Sequence, residues 1–256
     1  MHDNIFSLQG RTALVTGAGT GLGAHFARVL AAAGARLVLA ARRHDKLCDT
    51  AAAIVADGGE AFCYQVDVTD SASVAALFDQ CAADPGIPDV IINNAGISRD
   101  APLRDLDEVS WDAVIDTNLK GVHLIASEAA RRLSEAGRPG TIINIASVLG
   151  IGVEKSLGAY MAAKAAVIHL TRAQALEWAK FGIRANALAP GYVLTDINRE
   201  FFATPAGASM IKRIPQRRLG HFDDFTGPLL LLASQASLYM TGTTLVVDGG
   251  HLLQQL

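Results

Sequence analysis

The chain is poor in cysteine, in aromatic residues and in charge. Its 256 residues include three cysteines, 6% are aromatic and 18% are charged. Cys48, Cys63 and Cys81 are odd in number and widely spaced, which matches neither a disulfide framework nor a cluster of metal ligands. We therefore predict reduced thiols and no metal site.

The chain also lacks the charge and the apolar segments that several classes of protein need. Its net charge of −3 creates no field that would attract nucleic acid. No apolar run reaches the roughly 20 residues of a membrane-spanning helix, and the first residues lack the basic and apolar regions of a secretory signal. We expect a soluble cytoplasmic protein whose partner is a small molecule, not nucleic acid or a membrane.

Short apolar runs alternate with longer helical patterns along the whole chain. Strands are predicted at residues 12–16, 36–40, 61–66, 89–92, 141–146, 184–188 and 244–247, and helices near residues 21–34, 43–57, 71–83, 107–135, 157–181 and 223–234. Apolar strands separated by helices are typical of a parallel sheet covered on both faces. We predict one domain over residues 1–256, an α/β fold with a Rossmann-type doubly wound sheet of about seven parallel strands and helices on both faces. Residues 191–220 are the least regular stretch and are predicted to form a substrate loop.

The first predicted strand leads into a loop with glycine at positions 17, 19, 21 and 23. Glycines let the backbone turn tightly and approach a pyrophosphate, which the start of the following helix attracts. The generic spacing G-x-G-x-x-G fails when it is counted from Gly17, because residue 22 is Leu22. A relaxed form that begins at Gly19 and ends on Ala24 fits. Because the loop lies between a strand and a helix, we predict a dinucleotide site.

The end of the second predicted strand lacks an acidic residue. An Asp or Glu there would bind the 2′-hydroxyl of NAD, but this chain has Ala41 and Arg42, with Asp45 as the nearby acid. An arginine can bind a 2′-phosphate through two parallel hydrogen bonds. We predict NADP(H) as the preferred cofactor and leave NAD(H) open, since Arg42 would otherwise be a solvent-exposed residue at a helix start.

A tyrosine and a lysine share one face of a predicted helix. Tyr160 and Lys164 are four residues apart, so their side chains are neighbours. A nearby cation favours the phenolate and lowers the pKa of a tyrosine toward the range of a general acid or base. Ser147 closes a predicted buried strand, at the end of the sheet where open α/β folds bind ligands. Such a pair is common on helix surfaces, but here it predicts a proton donor beside a hydroxyl that can hold a carbonyl oxygen.

Taken together, these motifs resemble those of the short-chain dehydrogenase/reductase family, including 3-oxoacyl-[acyl-carrier-protein] reductases and related ketone reductases. The resemblance covers nearly the whole chain. The residues that carry it are the loop Thr16-Gly17-Ala18-Gly19-Thr20-Gly21-Leu22-Gly23, the segment Asn93-Asn94-Ala95-Gly96, the set Asn118, Ser147, Tyr160 and Lys164, and the segments Pro190-Gly191 and Asp248-Gly249-Gly250.

The resemblance implies a role for each member of a catalytic set. Tyr160 would give a proton to the carbonyl oxygen, or take one from the alcohol in the reverse reaction. Lys164 would lower the pKa of Tyr160 and bind the nicotinamide ribose. Ser147 would orient the carbonyl and stabilise charge on its oxygen, and Asn118, on a long helix, would help to hold a water that links Lys164 to solvent.

The resemblance also implies a set of cofactor contacts, to which Tyr160 and Lys164 belong. The further members are Gly17, Thr20, Gly21, Leu22, Gly23, Arg42, Asp67, Val68, Asn94, Ala95, Gly96, Pro190, Gly191, Val193 and Thr195. Two alternatives stay open. Asp67 could be a turn or helix-capping residue, although Asp70 suits that role better, and the segment around Asn94 could be only a turn that ends a strand.

These observations predict an oxidoreductase that transfers hydride between NADP(H) and a ketone or 3-oxoacyl-type substrate. The alternatives are an NAD-dependent dehydrogenase of a sugar, polyol or steroid alcohol, and a non-catalytic protein that senses a dinucleotide. Residues 149–157 and 192–214 are predicted to shape the substrate pocket. They are mostly apolar, with Glu154 and Lys155 as polar contacts, which indicates a medium-sized hydrophobic carbonyl. The resemblance further implies a homotetramer or a dimer.

Overall fold

The computed structural model describes residues 4–195 and 199–253. These residues form one sheet of seven parallel strands in the order β3-β2-β1-β4-β5-β6-β7. The strands are β1 (Thr12–Thr16), β2 (Arg36–Ala41), β3 (Glu60–Gln65), β4 (Val90–Asn93), β5 (Gly140–Ile145), β6 (Ile183–Pro190) and β7 (Thr244–Val247). The predicted doubly wound fold is confirmed, and most strand bounds differ from the prediction by one or two residues.

Helices connect the strands and cover both faces of the sheet. They are α1 (Gly21–Ala32), α2 (His44–Ala56), α3 (Ser71–Ala83), α4 (Glu108–Ile115), α5 (Gly121–Glu135), α6 (Gly158–Trp178), α7 (Arg199–Phe202), α8 (Pro205–Arg213) and α9 (Thr226–Ala233). On one face α1, α2 and α9 pack against the side chains of Ala13 and Val15. On the other face α3, α5 and α6 pack against Leu14. The alternation along β1 is the period of two that a strand imposes.

Where one continuous helix is predicted over residues 107–135, the structure has two helices joined by a wider turn. Residues Asp116–Lys120 form a π-helical turn between α4 and α5, and the Gly121 N–H bonds to the Asp116 carbonyl, five residues earlier. Such turns are rare and occur mostly at functional sites. Helical residues therefore run without a gap from 108 to 135, close to the predicted range, and only the π-helical turn was not predicted, because the apolar pattern continues through it.

Residues 191–220 are more regular than predicted, because they contain the short helices α7 and α8. The Thr204 hydroxyl accepts a hydrogen bond from the Gly207 N–H at 3.2 Å, and Pro205 takes the first position of α8. A capping threonine followed by proline is a helix-start signal that our sequence analysis overlooked. Residues 196–198 of the predicted substrate loop lie outside the described residues. None of the helices in the two described segments is long and apolar enough to cross a membrane.

A buried polar network fastens α6 to the centre of the sheet. The Asn144 side chain in β5 accepts a hydrogen bond from Asn93 Nδ2 in β4 at 2.9 Å. Its own Nδ2 donates to Thr171 Oγ1 at 2.9 Å and to Gln174 Oε1 at 2.8 Å, both in α6. All four residues are buried. Since β5 leads to Ser147 and α6 carries Tyr160, this network sets how the two predicted catalytic segments meet.

Replacement of Asn144 tests the importance of this network. We expect Asn144→Ala to lower the free energy of unfolding by about 3 kcal/mol, because buried donors and acceptors on three partners lose a hydrogen bond. Urea denaturation measures the change. Gln235→Ala, at an exposed amide, is the control and should change the free energy of unfolding by less than about 0.5 kcal/mol. A loss below about 1 kcal/mol for Asn144→Ala would mean that the network contributes little.

Candidate active site

A cleft of about 700 Å³ opens at the carboxyl ends of β1 to β4. β1 lies between β2 and β4 in the sheet, so the chain winds outward in opposite directions from this point. Open α/β sheets bind ligands at such a reversal. Ten of the predicted cofactor residues line the cleft: Gly17, Thr20, Leu22, Gly23, Arg42, Asp67, Val68, Asn94, Ala95 and Gly96.

The glycine loop forms the floor of this cleft, and two of its positions admit only glycine. Gly17 has a φ of +66°, a conformation that side chains with a Cβ rarely adopt. A Cβ at Gly23 would collide with the Gly17 carbonyl oxygen and come within 2.5 Å of Asn94 Nδ2. The loop and the start of α1 are therefore in direct backbone contact, which explains a glycine spacing that differs from the generic one.

Asn94 joins the glycine loop to the segment that follows β4. The backbone N–H groups of Asn94 and Ala95 donate to Thr16 Oγ1 at 3.0 and 3.1 Å. The Asn94 side chain in turn donates to the Thr16 carbonyl at 3.0 Å. Asn94 thus lines the cleft and also connects the glycine loop to the segment that follows β4. These hydrogen bonds give Asn94 a structural role.

The start of α1 is open toward the cleft. Thr20 occupies the N-cap position, but among the described residues no side chain makes a capping hydrogen bond there. The N–H groups of the first helical turn have no partner within the helix, and the helix dipole adds partial positive charge. This arrangement suits a phosphate group.

Three cations line the part of the cleft next to the end of β2. They are Arg42, Arg43 and Lys46, while Asp45 is exposed and is not part of the lining. Of these three, only Arg42 was predicted from the sequence to bind the cofactor. Lys46 lies in the first turn of α2, the helix that begins just after Arg42 and Arg43.

Asp67 contributes a carboxylate to the lining of the cleft. Its side chain is also part of a turn. Its Oδ1 accepts hydrogen bonds from the Thr69 N–H at 2.9 Å and from the Thr69 hydroxyl at 2.8 Å. These bonds, with Arg42 and Lys120 nearby, lower the pKa of Asp67. Asp70 caps α3 by accepting from the Ala72 N–H at 2.9 Å. The cap therefore lies at Asp70, whereas Asp67 combines a turn with a place in the cleft.

Ser147, Tyr160 and Lys164 come together where β5 meets α6. The Ser147 hydroxyl accepts from the Leu149 N–H at 3.1 Å, and the Ser147 side chain is near enough to Tyr160 to act on the pKa of its phenol. Lys164 is buried, and its Nζ donates to the Ile145 carbonyl at 2.6 Å. The same Nζ lies 5.6 Å from the centre of the Tyr160 ring. The structure thus brings three of the four predicted catalytic side chains into one group.

The predicted lowering of the Tyr160 pKa by Lys164 is wrong for this structure. Burial raises the pKa of Tyr160, and the nearby Ser147 side chain opposes this only in part. Burial also lowers the pKa of Lys164 to about 8. Removal from water penalises the charged form of both groups, the phenolate and the ammonium ion. Tyr160 is therefore a protonated phenol at neutral pH, the form that can donate a proton.

Asn118 lies in the π-helical turn and is completely buried. Its Oδ1 accepts from the Ile97 N–H and its Nδ2 donates to the Ile97 carbonyl, both at 2.8 Å. Ile97 lines the cleft and, with Tyr160, packs against Val114. Asn118 therefore fixes the segment between the cleft and the catalytic group, and its predicted role in holding a water stays a prediction.

The remaining predicted cofactor residues do not line the cleft. Pro190 lies within β6 and not after it, and the Gly191 N–H bonds to the Val247 carbonyl at 2.9 Å. Val193 is buried and pairs with Gly220 in an isolated parallel bridge. The full set outside the lining is Gly21, Tyr160, Lys164, Pro190, Gly191, Val193 and Thr195.

Substitution of Gly23 tests the close backbone contact in the cleft floor. We expect Gly23→Ala to weaken dinucleotide binding by at least about 10-fold, a loss of about 1.4 kcal/mol, because the added Cβ must displace the Gly17 carbonyl. Calorimetric titration with NADPH measures the affinity. Gly227→Ala in α9 is the matched control, since a Cβ there meets no atom within 4 Å. Equal affinities for the two variants would contradict the proposed tight approach.

Comparison with known proteins places this site among dehydrogenases and reductases. A family model described as enoyl-(acyl carrier protein) reductase matches residues 17–251. The chain is 37% identical over 250 residues to gluconate 5-dehydrogenase of Gluconobacter oxydans, covering 97% of each chain. It is 42% identical over 246 residues to cis-4-hydroxycyclohexanecarboxylate dehydrogenase of Sinomonas cyclohexanicum, covering 94% of this chain and 96% of the relative.

A solved structure shows the same likeness in three dimensions. The crystal structure of a gluconate 5-dehydrogenase from Burkholderia cenocepacia in complex with NADP and tartrate is similar to this chain with a TM-score of 0.93. The two sequences are 40% identical, and the likeness covers 97% of this chain and 98% of that one.

Proposed function

Since the chain belongs to the short-chain dehydrogenase/reductase family and is an oxidoreductase of CH–OH groups, we propose that it uses NADP(H) to reduce a ketone or, in reverse, to oxidise a secondary alcohol. The observation that carries the proposal is the grouping at the carboxyl end of β5, where Ser147 follows the strand and the Nζ of buried Lys164 lies 5.6 Å from the centre of the Tyr160 ring.

The cleft fits a phosphorylated dinucleotide. Its floor is close-packed backbone at Gly17 and Gly23, where a Cβ would leave no room, and the open start of α1 can receive a phosphate. Arg42, Arg43 and Lys46 supply positive charge for a 2′-phosphate. When bound, the cofactor supplies or accepts the hydride.

The catalytic residues hold a single proton and transfer it to the substrate. Tyr160 carries that proton at neutral pH, because burial raises its pKa, and donates it to the carbonyl oxygen as the alcohol forms. Ser147 holds the same oxygen and favours the charge that develops on it. The ammonium group of Lys164, held in place by the Ile145 carbonyl, favours the phenolate that remains.

Exposed apolar side chains after Ser147 and beside the start of α6 favour a substrate with a hydrophobic body. Ile151 and Val153, which follow Ser147, are 51% and 88% exposed. Leu103 is 66% exposed and lies against Gly158 at the start of α6. The relatives named above act on gluconate and on an alicyclic hydroxy acid, and this apolar surface favours the alicyclic kind of substrate over a sugar or a polyol.

We also propose that the protein is a cytoplasmic homotetramer. In support, large apolar side chains are exposed on two separate regions of the described chain. Leu176 and Phe181 lie on or next to α6, and Leu238 and Tyr239 lie just before β7. A second copy that covers these surfaces would bury them.

Removal of the phenol oxygen tests the chemistry. We expect Tyr160→Phe to lower turnover at least about 100-fold, because the proton donor is lost, while NADPH affinity stays close to that of the unchanged protein. NADPH oxidation is measured over a panel of cyclic ketones, 3-oxoacyl thioesters, sugars and steroids, with Tyr239→Phe, at a fully exposed phenol, as control. Retained turnover would exclude Tyr160 as the donor. Tight NADPH binding by the unchanged protein without turnover of any carbonyl would favour the dinucleotide-sensing alternative.

A charge reversal tests the preference for NADP(H). We expect Arg42→Asp to lower the ratio of NADPH to NADH affinity by about 10- to 100-fold, as loss of a charged hydrogen bond worth about 1.5–3 kcal/mol requires. Titration of each cofactor by fluorescence gives the two affinities. Asp45→Asn, at an exposed residue in the first turn of α2 and outside the cleft lining, should leave the ratio unchanged. A ratio that does not move in Arg42→Asp would show that another residue holds the phosphate.

A further inference from the structure

A tight turn follows β7, and its own first residue stabilises it. The turn comprises residues 248–253 and includes a short helical segment at His251–Leu253. Asp248 Oδ1 accepts a hydrogen bond from the Gly250 N–H at 2.7 Å, and Asp248 Oδ2 accepts one from the Leu252 N–H at 2.8 Å. Both carboxylate oxygens are therefore used inside the turn and fix its shape. We call residues 248–253 the C-terminal turn.

The C-terminal turn contacts the start of the predicted substrate loop through two aromatic rings. The centre of the His251 ring lies 5.4 Å from the centre of the Tyr192 ring, and Tyr192 comes two residues after the end of β6. Tyr192 also packs edge-on against Phe202 of α7, with 6.0 Å between the ring centres. Pairs of rings at these distances attract each other. His251 thus reaches α7 through one intervening side chain.

The C-terminal turn also contacts the segment that follows α8. The Gln216 N–H donates a hydrogen bond to the Gly249 carbonyl at 3.1 Å. The packing here is close, because a Cβ at Gly249 would come within 3.0 Å of Ile214 Cγ2 and one at Gly250 within 3.0 Å of Pro215 Cγ. The turn therefore contacts the chain both before α7 and after α8.

The helices α7 and α8 pack against each other as one unit. A Cβ at Gly207 of α8 would collide with the Phe201 carbonyl of α7, so the two backbones are in direct contact. Phe202 of α7 and Met210 of α8 belong to one apolar cluster, together with Tyr192. The position of the Tyr192 ring therefore affects the packing of both helices.

Tyr192 lies at the same edge of the sheet as the catalytic group. The strands β5 and β6 are neighbours, with Ile145 opposite Leu188. Ser147 comes shortly after Ile145 and Tyr192 shortly after Leu188, so both lie beyond the carboxyl ends of adjacent strands. Open α/β sheets bind their ligands at this edge.

We propose that the C-terminal turn holds α7 and α8 in the position in which they bind the substrate, and that His251 is a positioning residue that acts through Tyr192. The proposal rests on the proposed function, because α7 and α8 belong to the predicted substrate loop. A loop that is already in place costs less to order when the substrate binds. This contribution is the same before and during the reaction, so it affects KM and not kcat.

Steady-state kinetics of His251→Ala test this role, with NADPH and the cyclic ketone that the unchanged protein reduces best. We expect the KM for the ketone to rise about 3- to 10-fold, as loss of a ring pair requires, while kcat changes by less than about 2-fold. His251→Phe keeps a ring and should restore the KM. Leu253→Ala, at an exposed residue of the same turn, should change neither constant. An unchanged KM in His251→Ala, or a loss in kcat alone, would overturn the proposal.

A double-mutant cycle shows whether His251 acts through Tyr192. In a Tyr192→Ala background, His251→Ala should raise the KM no further, because the contact between the two rings is already lost. If His251→Ala raised the KM by the same factor in both backgrounds, the path through Tyr192 would be excluded.

Hydrogen exchange tests the anchoring of α7 and α8 without any need for activity. We expect the backbone amides of both helices to exchange several-fold faster in His251→Ala than in the unchanged protein or in Leu253→Ala, while those of α6 stay the same. Equal rates in all three proteins would overturn the anchoring. If the unchanged protein reduced no carbonyl, the proposed function would fail, and hydrogen exchange would still decide whether the C-terminal turn holds α7 and α8.

Discussion

The arrangement of the active site depends on how α6 is docked on the sheet, and the Asn144 side chain determines that docking. Its hydrogen bonds to Asn93, Thr171 and Gln174 connect β4, β5 and α6 in the buried interior. A buried amide in β5 with partners on two further elements favours one relative position of the three elements, because a shift would break several of these hydrogen bonds. Apolar packing alone would permit sliding of α6 along β5. The hydrogen bonds of Asn144 thus determine the relative positions of Ser147, Tyr160 and Lys164.

The same removal from water that supports this network also sets the charge of the catalytic groups. Tyr160 and Lys164 are each moved toward their neutral forms, in opposite directions on the pH scale. Reasoning from a tyrosine and a lysine on one helix face predicted the reverse for Tyr160, since it considered the cation and not the loss of solvent. For carbonyl reduction the observed direction is the useful one, because a donor must hold its proton until the substrate needs it.

Much of the fold and of the cofactor cleft could be predicted from the sequence, because the determining features are local. Alternating apolar runs define the strands, and the glycine loop at the end of β1 identifies the cleft. Features that depend on distant contacts could not be predicted in this way. The π-helical turn at Asn118 depends on the backbone of Ile97, about 20 residues earlier. The start of α8 was an exception, since its Thr204-Pro205 signal is local and was overlooked.

The π-helical turn also sets the rotation of α5 about the helix axis relative to α4. Each residue of an α-helix advances the chain by about 100° around the helix axis, so one extra residue in a turn rotates everything that follows by that amount. The faces of α4 and α5 are therefore out of phase with those of a continuous helix. α4 presents Val114 to α6, while α5 presents Ile125 and Ala129 to the sheet. Loss of one residue from Asp116–Lys120 would restore the regular helix and turn the apolar face of α5 away from the sheet. The number of residues in Asp116–Lys120 is therefore as important for the packing of α5 as the identity of those residues.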